Sequence, residues 1–207
     1  MNNIQKEFAI ANIQARRLAG LIDMQVYSFI ETNMAIDIEG DHGVFHWERV
    51  FLNALVINNR LPEFNRVDQV LLMLFALFHD SRRVNEHEDP GHGARGADLL
   101  NQYIELYVFH FNKLFNSKDI ANTKAACRDH TDKIHSTERL IQICFDADRL
   151  DLGRVGITPN PAYLNMREST DKLLISQCIE NSRKPTLLPV FREHLLDSEI
   201  FGEIDFG

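Results

Sequence analysis

The sequence predicts an all-helical fold, organised as a single helical bundle over residues 1–207. Apolar residues recur at the three- and four-residue spacing of an amphipathic helix through most of the chain. Strict alternation of apolar and polar residues, which is typical of half-buried strands, is nearly absent. The chain has 207 residues, of which 44% are hydrophobic and 25% are charged, so it has the size and composition of one domain with an ordinary buried core.

Polar, Gly-rich and Pro-rich breaks divide the chain into successive helical segments. The segment that ends at Phe78 is apolar on nearly all sides, so we expect it to be the central, fully buried helix, with Asp68 as its N-cap. The polar stretch over 81–96 is rich in Gly, Arg and His, and long irregular segments of compact domains often carry function. The predicted helices cover residues 4–30 (one or two helices), 44–58, 69–78, 97–114, 119–132, 137–152 and 171–181, and a short acidic tail follows Pro185 and Pro189.

The charge balance limits the classes of partner. The formal net charge is −8, which argues against duplex nucleic acid because such binding needs a basic face that displaces counterions. A small phosphorylated substrate needs only a local cluster of positive charge and metal, so it remains compatible with an acidic chain. The sequence does not determine the oligomeric state.

The cysteines and the N-terminus indicate a soluble, cytoplasmic protein. Cys127, Cys144 and Cys178 are odd in number and not closely spaced, so we expect reduced thiols and no disulfide framework. The N-terminal residues lack the basic and apolar blocks of a secretion signal. The longest apolar run covers residues 70–78 and is too short to span a bilayer, so we expect no membrane association.

His79 and Asp80 are the first pair of residues that point to chemistry. Leu72, Phe75 and Ala76 precede His79 by seven, four and three positions, so His79 continues a buried helix face. A buried imidazole beside a carboxylate is unfavourable without partners, and a metal ion would satisfy both groups. Taken alone, the pair is also compatible with a core histidine followed by a capping aspartate.

His46 and Asp148 are the further expected ligands. His46 stands near the start of its predicted helix, where a lone histidine is usually a surface residue. We expect it to be a ligand only because the other expected ligands accompany it. Asp148 follows two apolar residues at seven and four positions, so it lies on an apolar face. Asp146 shares a polar face, and we therefore expect it to be a solvated carboxylate. Asp151 lies one turn beyond Asp148 and is expected to support the ligands or to bind substrate.

The order His46, then His79-Asp80, then Asp148 in an all-helical chain resembles the HD-domain superfamily of metal-dependent phosphohydrolases. The resemblance covers roughly residues 41–151, with helical extensions on both sides. Stretches 78–83, 89–93 and 148–154 are also similar to a group of bacterial HD proteins, a likeness that implies fold and site without naming a substrate. The motifs that carry the resemblance are His46-Trp47-Glu48-Arg49-Val50, Phe75-Ala76-Leu77-Phe78-His79-Asp80 and Asp146-Ala147-Asp148-Arg149-Leu150-Asp151.

Two more histidines and three arginines complete the expected site. His92 and His130 are either ligands of a second metal, as the resemblance implies, or a general acid or base beside a single metal. Arg83 stands where many HD proteins carry a lysine, and its planar guanidinium suits phosphate oxygens. We expect Arg149 and Arg154 to help neutralise the phosphoryl group. The role of His42, four residues before His46, stays open.

The resemblance implies a metal-dependent phosphohydrolase that acts on a phosphomonoester or phosphodiester, with a nucleotide as the expected substrate. We expect one or two divalent ions per chain, drawn from Mn, Fe, Co, Ni, Zn and Mg, since imidazole and carboxylate ligands suit all of them. Some HD proteins are di-iron oxygenases with the ligand order His, His-Asp, His, His, Asp, which this chain can supply. A non-catalytic metal- or nucleotide-binding module and a plain helical interaction protein are the remaining alternatives.

Overall fold

The computed structural model describes residues 1–21, 25–183 and 189–195, apart from the side chain at position 65. Within these residues, ten α-helices and four short 3-10 helices form the regular structure, and no strand occurs. The all-helical prediction is therefore confirmed. The α-helices are α1 (Asn3–Ala19), α2 (Gln25–Asn33), α3 (Val44–Arg60), α4 (Gln69–Phe78), α5 (His92–Leu106), α6 (Val108–Leu114), α7 (Ser117–Asp129), α8 (Arg139–Arg149), α9 (Lys172–Arg183) and α10 (Arg192–Leu195). The 3-10 helices are Glu63–Asn65, Leu152–Val155, Pro161–Tyr163 and Arg167–Thr170.

Helices α3 and α4 form the centre of the bundle. Helix α3 packs against α1, α4, α8 and α9, while α7 packs against α4, α5 and α8. All residues from Leu71 to Phe78 are buried, which agrees with the prediction that this helix is apolar on nearly every side. Asp68 caps it, since its side chain accepts a hydrogen bond from the backbone N–H of Val70. None of the helices in the described ranges has both the length and the apolar character that crossing a bilayer requires.

Two glycines allow α5 to approach its neighbours at backbone distance. A Cβ at Gly93 would lie 2.6 Å from the carbonyl oxygen of Cys127, and one at Gly96 would lie 2.4 Å from that of Phe78. Any larger residue would therefore force these backbones apart. The first turn of α5 consequently lies directly against the end of α4 and the end of α7, which brings His92 to the centre of the molecule.

Glu48 attaches the segment over 189–195 to α3. Its side chain is buried, and one carboxylate oxygen accepts the backbone N–H groups of Val190, Phe191 and Arg192 at 2.7–2.9 Å. The Arg192 guanidinium donates to the other oxygen at 2.8 Å. A buried carboxylate needs these donors. The contacts attach the segment over 189–195 to α3.

The element boundaries differ from prediction mainly around α5. The irregular segment ends at Gly91 rather than at Gly96, and the predicted helix over 97–114 is divided at Tyr107 into α5 and α6. The early start of α5 has a local cause: the Asp89 carbonyl accepts the His92 N–H, and Asp89 is itself held by Arg95 at 2.6 Å. Residues 190–195 of the predicted tail contain α10, a helix that the sequence did not predict, and the rest of the tail and Pro185 lie outside the described residues. All three cysteines are buried and free, as predicted.

Candidate metal centre

Three residues from the ends of three helices form one group of converging donors, which we call the first triad: His46, His79 and Asp148. His46 lies in the first turn of α3, His79 follows the last residue of α4, and Asp148 lies in the last turn of α8. The Nε2 atom of His46 is 3.0 Å from Nε2 of His79 and 3.4 Å from Oδ1 of Asp148. Their donor atoms all lie within 4.8 Å of one another, which is close enough for one ion to contact all three.

A second group, the second triad, consists of Asp80, His92 and His130. His92 is the first residue of α5, and His130 follows the last residue of α7. The two Nε2 atoms are 3.0 Å apart, and Oδ1 of Asp80 lies 3.2 Å from that of His92 and 3.6 Å from that of His130. These donor atoms also lie within 4.8 Å of one another.

Asp80 connects the triads through its two oxygens. While Oδ1 faces the second triad, Oδ2 lies 3.5 Å from Nε2 of His46 and 3.8 Å from Nε2 of His79. Oδ1 is buried and has no partner in hydrogen-bond geometry among the described residues. Because a buried carboxylate oxygen without a partner is strongly unfavourable, the residues present fit a cation on each side of Asp80.

The outward nitrogen of three imidazoles is fixed by the backbone. A carbonyl oxygen accepts from each Nδ1, so Nδ1 carries the hydrogen and the lone pair of Nε2 points into the cluster. Histidines that bind metals are commonly oriented in this way by a group behind the ring. The carbonyls are those of Ala76 for His79 (3.0 Å), Asp89 for His92 (2.6 Å) and Cys127 for His130 (2.8 Å).

His46 is oriented by a carboxylate instead. Its Nδ1 donates to Oδ2 of Asp151 at 2.7 Å, and Arg49 donates to both oxygens of Asp151 at 2.6 and 3.1 Å. Asp151 is only 1% exposed. The structure therefore places Asp151 behind His46, where it positions the ring. Because both of its oxygens are already occupied, Asp151 does not make the substrate contact that was the other expectation from the sequence.

When no ion is bound, each triad contains one imidazole whose pKa is raised and one whose pKa is lowered. Burial opposes a charged His46, but hydrogen bonds with Asp148, Asp151 and Asp80 raise its pKa to about 9. Burial lowers the pKa of His79 to about 3. Similarly, against the effect of burial, Asp80 raises the pKa of His130, whereas burial lowers that of His92. Two lone pairs 3.0 Å apart repel each other, so each pair needs a shared proton or a cation.

The two carboxylates of the cluster stay ionised. Burial opposes their charge, but the imidazole hydrogen bond from His46 holds the pKa of Asp148 well below its usual range. Neighbouring His79, His130 and His46 do the same for the pKa of Asp80. Six donors with two permanent negative charges therefore face one another in a buried space, which is the charge pattern of a cation site.

Arg83 lies beside the second triad. Its Nη1 atom is 3.3 Å from the ring nitrogens of His92 and 3.7 Å from Oδ1 of Asp80, and its Nη2 donates to the carbonyl of His87 at 2.5 Å. The side chain is 7% exposed. Its charge thus reaches the cluster, as the sequence analysis expected.

Arg149 and Arg154, also expected at the substrate, are engaged elsewhere. Arg149 donates to the carbonyls of Ile134 at 2.6 Å and Tyr163 at 2.9 Å, and also to those of His130 and Lys133. Arg154 donates to the carbonyls of Asp41 at 3.0 Å and Asp151 at 3.3 Å. Both guanidiniums hold backbone segments together, and we leave them out of the proposed substrate site.

The expectation that Asp146 is a solvated carboxylate is wrong. Its side chain is fully buried and accepts the backbone N–H groups of Asn165 at 2.7 Å and Met166 at 2.8 Å. It also accepts the side-chain amide of Asn165 at 2.9 Å. Residues 165–166 cover the helix face that looks polar in the local sequence, so the helix pattern alone could not reveal the burial.

A cavity of about 540 Å³ opens beside the second triad. Thr131 lines it, and its hydroxyl lies 3.1 Å from Nε2 of His92. Thr131 and Arg49 were given no role from the sequence, although each is close to a predicted ligand. Thr131 follows His130, and Arg49 is three residues after His46. The lining residues are Arg83, His87, Glu88, Asp89, Pro90, Gly91, His92, Gly93, Ala94, Arg128, Asp129, Thr131 and Asp132.

His42, whose role the sequence left open, lies beside the first triad without joining it. Its ring is 6.2 Å from that of His46 in an edge-to-face arrangement. Its Nδ1 atom is 2.6 Å from a carboxylate oxygen of Glu86. Burial lowers the pKa of His42, with Glu86 opposing that effect.

Comparison of the chain with protein-family models, with curated proteins and with solved structures gives no match. The membership of the HD-domain superfamily therefore stays a prediction that rests on the motifs. The geometry around Asp80 is a separate observation, which does not rest on similarity to any known protein.

Proposed function

We propose that the chain is a metal-dependent phosphohydrolase that holds two divalent cations, one in each triad, and cleaves a small phosphomonoester or phosphodiester. One observation carries the proposal: six donor residues, five of them buried and Asp148 partly so, form two groups of three that share the Asp80 carboxylate. Paired metal sites of this kind are characteristic of phosphatases and nucleases. The mixture of imidazole and carboxylate suits Mn, Fe, Co, Ni, Zn and Mg alike.

Divalent cations held there would make hydroxide available from water near neutral pH and would polarise the phosphoryl group. The chain itself supplies the remaining parts. Arg83 lines the cavity and lies 3.3 Å from His92, so its guanidinium is placed to neutralise charge on phosphoryl oxygens. The Thr131 hydroxyl at the cavity wall can donate to an oxygen of the substrate.

His92 and His130 fit the role of ligands better than that of general acid. Both rings have Nδ1 bonded to a backbone carbonyl and Nε2 pointing into the second triad. Neither nitrogen is therefore left to carry a proton to a leaving group. Of the two roles that the sequence left open for these histidines, the geometry supports the second metal site.

The test is a comparison of two adjacent arginines. Arg83→Ala in protein loaded with Mn or Mg should lower kcat/KM for nitrophenyl phosphate esters by about 100-fold, because it removes a charge that stabilises the transition state, while metal content stays the same. Arg82→Ala is the matched control, since Arg82 donates to Asn33 away from the cavity. Failure of the parent protein to turn over mono- or diesters with any of the six ions would refute the proposal.

A second candidate is a di-iron oxygenase, and the composition of the triads favours it specifically. Each triad contains two imidazoles and one carboxylate, which is the ligand set of non-haem iron oxygenases. Anaerobic loading with iron, followed by optical and spin-resonance spectra, separates the two candidates. A stable mixed-valent iron pair with oxygen consumption supports the oxygenase, whereas ester turnover with Mn or Mg supports the hydrolase.

A further inference from the structure

We infer that the cavity beside the second triad selects a compact phosphate ester rich in hydroxyl or ammonium donors, and that nucleotides are poor substrates. The inference rests on the proposed phosphohydrolase function and replaces the nucleotide that the sequence analysis expected. It follows from where the buried cation of the cavity lies, from the absence of Phe, Tyr and Trp in the lining, and from two carboxylates at the rim.

The inner end of the cavity is the place for the phosphoryl group. His92 and Arg83 both line the cavity and are more than nine-tenths buried. Behind them lies Oδ1 of Asp80, which is buried, has no hydrogen-bond partner among the described residues, and is 3.2 Å from Nε2 of His92. Arg83 is the buried cation of the lining, and ions held in the triads would add positive charge at this end. The phosphoryl group therefore belongs here, and the rest of the substrate lies toward the rim.

The cavity offers little surface on which a nucleobase could stack. Its 13 lining residues, as far as the chain is described, include no Phe, Tyr or Trp. Proteins that bind bases commonly stack them on aromatic rings, and that stacking supplies much of the affinity. The ring of His92 is held in the second triad and is not free to stack, which leaves the exposed His87 as the other lining imidazole. A base in this cavity would therefore lie mostly against backbone, small side chains and charges.

Two carboxylates at the rim remain without a cation. Four acidic residues line the cavity, but Asp89 is paired with Arg95 at 2.6 Å and Asp129 with Lys133 at 2.6 Å. Glu88 and Asp132 are exposed, and their side chains form no ion pair or hydrogen bond with any described residue. The two carboxylates can therefore accept hydrogen bonds from a ligand.

The lining cations do not cancel these charges. Arg128 is 55% exposed and already lies 3.7 Å from Asp129, and Arg83 belongs to the inner end. Carboxylates accept from hydroxyl and ammonium groups and repel additional phosphates. The rim thus favours donors on the substrate, either the ammonium of a phosphorylated amino alcohol or the hydroxyls of a phosphorylated polyol, and disfavours polyphosphates.

The test uses the full chain loaded with Mn and three esters: phosphoethanolamine, glycerol 3-phosphate and adenosine 5′-monophosphate. We expect kcat/KM for at least one of the first two to exceed that for the nucleotide by about tenfold or more, the effect of one hydrogen bond to a charged group. Preference for phosphoethanolamine identifies an ammonium as the donor, and equal or better use of glycerol 3-phosphate identifies hydroxyls. A nucleotide that is used as well as the better of the other two esters overturns the inference.

Variants locate the selectivity. Asp132→Asn and Glu88→Gln should each raise KM for the preferred ester by about tenfold, with metal content unchanged. Asp98→Asn is the matched control, because Asp98 is exposed on α5 and does not line the cavity. Unchanged KM in both rim variants contradicts the inference even if the substrate preference holds.

Calorimetric binding of the three esters to the Mn-loaded protein separates failure of this inference from failure of the proposed function. If no ester, including nitrophenyl phosphate, is hydrolysed, the phosphohydrolase proposal fails. Selective binding of a donor-rich ester, lost in Asp132→Asn, then still supports the inference about the cavity. Binding that is equal for the three esters, or absent for all, overturns it.

Discussion

The two triads contain the same kinds of donor but are built in different ways. Both imidazoles of the first triad are fully buried, and His46 is held from behind by the charged pair of Asp151 and Arg49. In the second triad both rings are held by backbone carbonyls, and His92 borders the cavity. Under the proposed function, we expect the first triad to retain an ion and the second to present one to the substrate.

Among the variants, one that removes the Asp80 carboxylate should have the largest effect on metal content. Asp80→Ala deletes the carboxylate that faces both triads, so metal content should fall from two ions per chain to background while helicity by circular dichroism is maintained. Asp98→Ala, at an exposed position, serves as the control. Retention of both ions by Asp80→Ala would show that Asp80 is not a ligand.

The second triad depends on backbone contact, so Gly93→Ala should damage it selectively. The new Cβ would lie 2.6 Å from the Cys127 carbonyl oxygen, which orients His130, and 2.7 Å from that of Arg128. We expect a loss of about 1–3 kcal/mol in the free energy of unfolding, together with loss of one ion per chain. In Gly20→Ala the nearest atom would be 3.5 Å away, so its stability should be unchanged or slightly higher. Equal thermal unfolding of both variants would contradict the close packing.

The first triad depends on charge behind the ligand, and Asp151→Asn tests that dependence. The substitution weakens the hydrogen bond to His46 and should lower the affinity for one ion about 10–100-fold, measured by competition with a chelator. Asp146→Asn is the matched control on the same stretch of chain. It should lower stability by about 1–3 kcal/mol without changing metal affinity, because Asp146 binds only the segment at 165–166.

The pH dependence of metal binding tests the protonation of His46 without any substitution. In the ion-free protein the pKa of His46 is raised to about 9, so a bound cation must displace its proton at pH 7. Affinity should therefore rise by up to about tenfold per pH unit between pH 7 and 9. Calorimetry in two buffers of different ionisation enthalpy should show about one proton released per ion bound in the first triad. Heats that do not depend on the buffer would exclude a protonated His46.

The same shift has a consequence for the stability of the ion-free protein. Because the folded pKa of His46 lies above its usual value of 6.5, the charged ring stabilises the fold fully below about pH 6.5. That contribution is lost as the pH rises through about 9. Thermal unfolding in a chelator across this range measures it, and an unchanged midpoint would contradict the assignment.

The sequence was sufficient for the fold class and for the residues that meet at the cluster. His79 and Asp148 lie on apolar helix faces, where a polar group must find a partner, and this local signal needs no knowledge of distant contacts. These inferences depend on helix periodicity, which is a property of neighbouring residues.

The sequence was insufficient where the partner comes from a distant segment. Asp146 is buried by residues 165–166, and Arg149 is occupied by carbonyls at 130–134 and 163, none of which its own helix reveals. The cavity is also assembled from two separate stretches, 83–94 and 128–132. Its lack of Phe, Tyr and Trp leads us to propose a different substrate, and only the three-dimensional arrangement shows it.

The central claim is that two ions share Asp80, and anomalous diffraction from crystals of the Mn-loaded protein tests it most directly. We predict two peaks, one contacting Nε2 of His46 and His79 and the other contacting Nε2 of His92 and His130, with both in contact with the Asp80 carboxylate. A single peak, or peaks that do not contact Asp80, would contradict the account.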